Sequence, residues 1–163
     1  RDVTEARGQR YFASAVGEVN VVEKMKQENA VIGGEGNGGV IYPELHYGRD
    51  ALVGIALFLS LLAKSGKTCS ALRASYPNYE ISKNKMELTP EMNVDLILEK
   101  MAKKYADCEV LTTDGVKIMF KDEWVHLRKS NTEPIIRIYS ESRDMAAANA
   151  LATKIMNEIK QLL

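Results

Sequence analysis

The sequence predicts two units of different architecture: a partial mixed-sheet α/β portion, then an α+β domain with a four-stranded antiparallel sheet and two helices, ordered β-α-β-β-β-α. Three observations carry this. Residues 1–73 mix short strand-like runs with helical stripes around a glycine cluster. From Ala74 to Asn84 the apolar period lapses and Ser75-Tyr76-Pro77-Asn78 supplies turn chemistry, which marks a linker over residues 74–84. From Lys85 to the end, two amphipathic helical stripes bracket alternating strands.

In the first unit, Tyr11 to Val16 reads as a short strand. Asn20 to Glu28 reads as a helix carrying Val21, Val22 and Met25 on one face. Ala30-Val31-Ile32 is a second strand running into the glycines. Arg49 to Ser65 is a helix, stopped by Gly66, a residue suited to the left-handed position beyond a helix end. Its apolar stretch from Ala51 to Ala63 is shorter than the roughly 20 residues a membrane span needs, so a helix buried on most sides is expected. Two strands do not make a sheet, and further sheet partners are expected upstream of Arg1.

In the second unit, Lys85 to Leu88 reads as a strand. Thr89 is placed to cap a helix whose first position is Pro90, with Glu91 suited to the positive end of the dipole. Val94, Ile97, Leu98, Met101, Ala102 and Tyr105 follow at helical spacing and define the buried face. Asp114-Gly115 joins two strands, with Val116, Ile118 and Phe120 alternating to one side, a hairpin signal. Trp124 to Arg128 and Ile135 to Ser140 are further strands about a polar loop. A last helix from about Arg143 buries Met145, Ala148, Ala152, Ile155, Met156, Ile159 and Leu162.

Composition narrows the function. Twenty-two basic and twenty-two acidic residues leave no formal net charge, which argues against a nucleic-acid partner. An anion must then be captured by a few local donors. No span, signal or lipid-attachment motif is present, so no membrane partner is expected and a cytoplasmic location is. Cys69 and Cys108 read as reduced, partly buried thiols. His46 and His126 lie far apart without companion ligands, so no metal site is expected. The tyrosines read as packed side chains with wet hydroxyls, and the Lys and Glu runs at 99–104 and 154–160 as solvated helix faces.

Two loops concentrate polar chemistry. Gly33-Gly34-Glu35-Gly36-Asn37-Gly38-Gly39 holds five of the eleven glycines. Glycines let a backbone approach a ligand closely; Glu35 accepts and Asn37 both donates and accepts, so the pair suits sugar hydroxyls. A flexible β-turn fits the composition equally well. A nucleotide phosphate loop does not, because no Gly-Lys-Ser/Thr follows and the next helix starts too late. Arg128-Lys129-Ser130-Asn131-Thr132-Glu133-Pro134, with Arg137 beyond, offers a forked guanidinium, hydroxyls and a turn able to cup a phosphate. Glu133 is expected to point away from the anion. A solvated polar hairpin loop remains open for this segment.

Together, in this order and spacing, the two loops resemble those of the α-D-phosphohexomutase family, which interconverts hexose 1- and 6-phosphates and includes phosphoglucomutase, phosphomannomutase and phosphoglucosamine mutase. The resemblance spans the whole chain, as the end of the third of four domains, a linker and the fourth domain. It implies sugar binding by Glu35 and Asn37 with Gly34, Gly36 and Gly38. It implies phosphate binding by Arg128, Ser130, Asn131, Thr132 and Arg137. Asn37 stands where many members have Ser, and Gly39 where several have His. Val16-Gly17-Glu18 aligns with a Thr-Gly-His stretch of some members, and these departures resemble the archaeal-like branch. The family's phosphoserine and its magnesium-holding aspartate loop belong to upstream domains and have no counterpart here. No catalytic residue is therefore expected in this chain, which alone should be inert. The competing reading is a regulatory module that senses a phosphorylated metabolite.

Overall fold

The computed structural model describes residues 1–89, 92–130 and 133–162. The chain divides into two compact units, Arg1–Pro77 and Asn78–Leu163.

The first unit contains α1 (Asp2–Glu5), α2 (Glu18–Glu28), β1 (Gly33–Gly34), β2 (Val40–Tyr42), β3 (His46–Arg49), α3 (Ala51–Ser65) and α4 (Cys69–Ala74). Its sheet is antiparallel, ordered β1-β2-β3, so the glycine segment is a hairpin loop inside the sheet. Helix α2 lies where the apolar spacing puts it and ends at Asn29, whose φ of 51° turns the chain away. The second strand falls later than expected, at Gly33–Gly34 in place of Ala30 to Ile32, and Val31 is left 79 % exposed. Only glycine fits this approach, since a side chain at Gly34 would run into the Gly39 carbonyl. Residues Tyr11 to Val16 form no strand. Among the described residues no strand pairs with them, and strand propensity without a neighbouring strand fixes no strand.

Strand β3 was hidden from the sequence reading because Arg49 was placed inside the following helix. Arg49 is the last strand residue, and Asp50 caps α3 by accepting from the Val53 N–H at 3.0 Å. Gly66 closes α3 at φ 63°, as its position suggested. The expectation that α3 is buried on most sides is overturned. None of its residues is buried, and Leu52 is 78 % exposed with Ile55, Phe58 and Leu59 about half exposed. The buried apolar side chains of this unit are Met25, Ile41 and Leu72 among the described residues, too few to cover a helix apolar all round. Helix α4, capped by Thr68, also went unread; one of its two ends is Ala74, at the start of the expected linker.

The second unit contains β4 (Glu80–Glu87), α5 (Val94–Lys104), β5 (Glu109–Leu111), β6 (Val116–Met119), β7 (Trp124–Lys129), β8 (Ile135–Ser142) and α6 (Met145–Gln161). Its sheet has five strands, not four, ordered β4-β8-β7-β6-β5 and antiparallel throughout. The fifth is β5, the hairpin partner of β6 that the Asp114-Gly115 turn implies but the four-strand count leaves out. Residues 80–84, assigned above to the linker, are strand, paired with β8 over its whole length. Their polar alternation of Glu80, Ser82 and Asn84 concealed them, since Ser82 is buried as a hydrogen-bonding residue and not as an apolar one.

The core lies between one sheet face and both helices. Ile97 and Met101 from α5 and Leu151, Ile155 and Ile159 from α6 meet Ile118, Val125, Leu127, Ile136 and Ile138. The Ser140 hydroxyl donates to the Ala148 carbonyl at 2.7 Å and ties β8 to α6. Helix α5 is capped by Asn93, which accepts from the Leu96 N–H, not by Thr89; Pro90 and Glu91 lie outside the described residues. On α6, Met145 is exposed where burial was expected, and Leu151 is buried where none was assigned. Asp144 caps α6, so Met145 stands in the first turn, ahead of the packed face. Both cysteines are free; Cys69 is exposed and Cys108 half-buried.

Candidate functional site

In the first unit the β1–β2 hairpin presents the glycine loop. The Glu35 N–H donates to the Gly39 carbonyl at 3.0 Å, and the Gly38 N–H to the Glu35 carbonyl at 3.1 Å. Gly38 adopts φ 92°, a conformation that side chains disfavour. Gly36 faces open space and has no such need. The Asn37 Oδ1 accepts from the Gly39 N–H at 2.9 Å, so the amide oxygen shapes the turn and its NH2 is the end left to address a ligand.

Glu35 is drawn to Arg49, whose Nη1 donates to Oε2 at 3.4 Å. The same guanidinium donates through Nε to Glu18 Oε2 at 2.8 Å, and the Arg49 backbone N–H donates to Glu18 Oε1 at 3.2 Å. The bond from the Arg49 backbone N–H lowers the Glu18 pKa most; burial, the next largest influence, opposes it, and the hydrogen bond and charge of the Arg49 guanidinium add to the lowering, so the carboxyl lies below its usual range. Sequence reading named Glu35 and aligned Glu18 with a family stretch, but missed Arg49. No local pattern marks an arginine that closes a strand and reaches two remote acids.

In the second unit, β7 and β8 carry the other loop. Arg128 is half-buried, and its Nη1 donates to Asp114 Oδ2 at 3.1 Å. Ser130 is 8 % exposed, its N–H donating to the Ile135 carbonyl at 3.1 Å. Asn131 and Thr132 lie outside the described residues. Pro134 accepts from the Leu88 N–H at 2.9 Å, which stiffens the loop exit. Glu133 Oε2 lies 3.5 Å from Arg137 Nη2.

The strand register adds what spacing alone cannot. Arg128 stands opposite Arg137, and Arg137 opposite Lys85, so three cations share one row across β7, β8 and β4. Like charges directly opposite destabilise a sheet unless anions compensate. Asp114 and Glu133 answer part of that charge, and the row lies two residues from the loop. Lys85 and Asp114 were both missed. The hairpin signal at Asp114-Gly115 was read only as a turn, yet Gly115, at φ 71° and close against the Leu127 carbonyl, brings Asp114 to Arg128.

Among the described residues no three His, Cys, Asp or Glu side chains gather to hold a metal. The residues described therefore do not fit a magnesium site.

Comparison with known proteins places this arrangement. Residues 1–79 match the family description "Phosphoglucomutase/phosphomannomutase, alpha/beta/alpha domain III", and residues 85–158 match its "C-terminal domain". The chain belongs to the phosphohexomutase family, as a C-terminal portion comprising domain III and domain IV sequence. It is 41 % identical over 150 residues to a phosphoglucosamine/phosphogalactosamine mutase of Sulfurisphaera tokodaii, covering 91 % of this chain and 32 % of that one. It is 37 % identical over 162 residues to a phosphoglucomutase/phosphomannomutase of Thermococcus kodakarensis, covering 96 % of this chain and 35 % of that one. The fold is similar to that of a phosphoglucomutase/phosphomannomutase family protein of Burkholderia thailandensis, with a TM-score of 0.74, 24 % identity, and 98 % of this chain and 34 % of that one covered. The chain spans about a third of the length of these relatives. No helix of the described residues is long and apolar enough to cross a membrane.

Proposed function

We propose that this chain is the substrate-binding C-terminal part of a phosphohexomutase that interconverts hexose 1-phosphate and hexose 6-phosphate through a phosphoserine and a bisphosphate intermediate. Further chain of the same protein supplies the serine and the magnesium loop, in the cytoplasm, and this portion alone is inert. Glu35 and Asn37, with Gly34, Gly36 and Gly38, bind sugar hydroxyls. Arg128, Ser130, Asn131, Thr132 and Arg137 hold the phosphate that is not reacting. Positioning of this kind supplies much of the barrier reduction in phosphoryl transfer, where there is little covalent work for the protein.

The observation that carries the reading is the Arg128–Arg137–Lys85 row beside the Ser130 loop, a concentration of cations in a chain with no net charge. The chain should bind glucose 6-phosphate weakly, and Arg128→Ala should weaken it by about tenfold or more, the scale of a lost charge-assisted contact. Calorimetric titration giving equal affinities for the two proteins overturns the phosphate assignment.

Within the family, an amino sugar is the second reading, that of a phosphoglucosamine mutase. Two carboxylates, Glu18 and Glu35, share the single Arg49 guanidinium, a local acid excess that suits an ammonium substituent. Tighter binding of glucosamine 6-phosphate than of glucose 6-phosphate, with the difference lost in Glu18→Gln, supports that choice; equal binding removes it.

A further inference from the structure

Arg49 is the point where three separate features of the first unit meet. Glu18, the first residue of α2, receives both its backbone N–H and its Nε. Glu35, from the hairpin loop, receives its Nη1. Gly39, across the same loop, makes room for it: a Cβ there would stand 2.7 Å from Arg49 Cδ. Register holds the residue still, because Arg49 pairs with the fully buried Ile41 on β2, and the next residue, Asp50, caps α3.

A glutamate on a glycine-rich hairpin has three side-chain torsions to fix before it can receive hydroxyls in one geometry. A ligand that had to order it would bind more weakly for that reason. Glu35 is only 16 % exposed while Arg49 is 47 % exposed, so the arginine forms the wet side of the cluster and the glutamate the sheltered one. One guanidinium contact uses a single acceptor site of the carboxylate and leaves capacity for further donors.

We propose that Arg49 is a positioning residue of the sugar site, fixing Glu35 and recruiting Glu18 to the same place through one forked guanidinium, with Gly39 kept small to admit it. This rests on the sugar-site reading of the loop. An ammonium in its place cannot satisfy both acids, because the two contacts need donors held apart in a plane.

The test is a double-mutant cycle on the 163-residue chain, titrated with glucose 6-phosphate and, separately, with inorganic phosphate. Arg49→Met and Glu35→Gln should each weaken glucose 6-phosphate about tenfold, and the double variant should be little worse than either, as for residues acting as one unit. Arg49→Lys should not restore binding, and inorganic phosphate affinity should stay unchanged in all four. Gly39→Ala, which displaces the arginine without removing a charge, should reproduce the Arg49→Met loss, and it decides the matter if Arg49→Met fails to fold. Losses that multiply in the double variant, or wild-type affinity in Gly39→Ala, overturn the positioning role while leaving the sugar site standing. A wild-type chain that binds inorganic phosphate but gains nothing from the sugar refutes the sugar site, and the role of Arg49 with it.

Discussion

Gly115 shows how one backbone position supports a distant side chain. At φ 71°, with the Leu127 carbonyl where a Cβ would go, it lets the β5–β6 hairpin close against β7, and that closeness sets Asp114 beside Arg128. Gly115→Ala should destabilise the second unit by about 1–3 kcal/mol, the cost of a non-glycine residue held in a left-handed conformation. The urea midpoint followed through the fluorescence of Trp124 on β7 measures this; an unchanged midpoint means the turn relaxes freely. At this scale legibility is uneven. The Asp114-Gly115 pair announces a turn in any sequence, and Glu35 and Asn37 stand out among glycines. Arg49 and Lys85 do not, because their meaning comes from the residues opposite them, and register is invisible to local spacing.

Strands and helices differ in how far they can be read. Helices α5 and α6 were legible because a 3.6-residue period repeated over several turns selects one face. Their N-termini were less so: Asn93, not Thr89, caps α5, since several capping residues crowd that segment. The three short strands of the first unit carry two to four residues each, too few for a period of two to show. On β7 the outward residue His126 adds an element-level consequence. Burial first of all pushes its pKa down, helped by nearby Lys117 and Arg128 and opposed by the Asp114 carbonyl to which its Nε2–H donates. The folded form thus favours neutral imidazole, so near and below about pH 6.5 the unfolded chain takes up the proton first. Stability from this group is complete above that value and is lost as the pH falls from it toward the lower folded value. Wild type should lose more stability than His126→Gln between about pH 6.5 and 5; parallel urea midpoints across that range would contradict the account.

Across the whole molecule the two units are unequal in what they bury. The second encloses apolar side chains from two helices and three strands in one cluster. The first buries Met25, Ile41 and Leu72 while α3 keeps Leu52, Ile55, Phe58 and Leu59 in water. The sequence shows a turn at Ser75 to Asn78, and the two compact units divide between Pro77 and Asn78. It did not reveal this imbalance, because an apolar helix reads the same whether or not anything covers it. Each apolar side chain left exposed forgoes about 1.5–3 kcal/mol, so the first unit should open well before the second. Hydrogen exchange read by mass spectrometry should find peptides of α2 and α3 exchanging at least about 100-fold faster than those of β7, β8 and α6, a gap of about 2.7 kcal/mol or more in opening free energy. Rates that match across both units would mean the chain unfolds as one cooperative body.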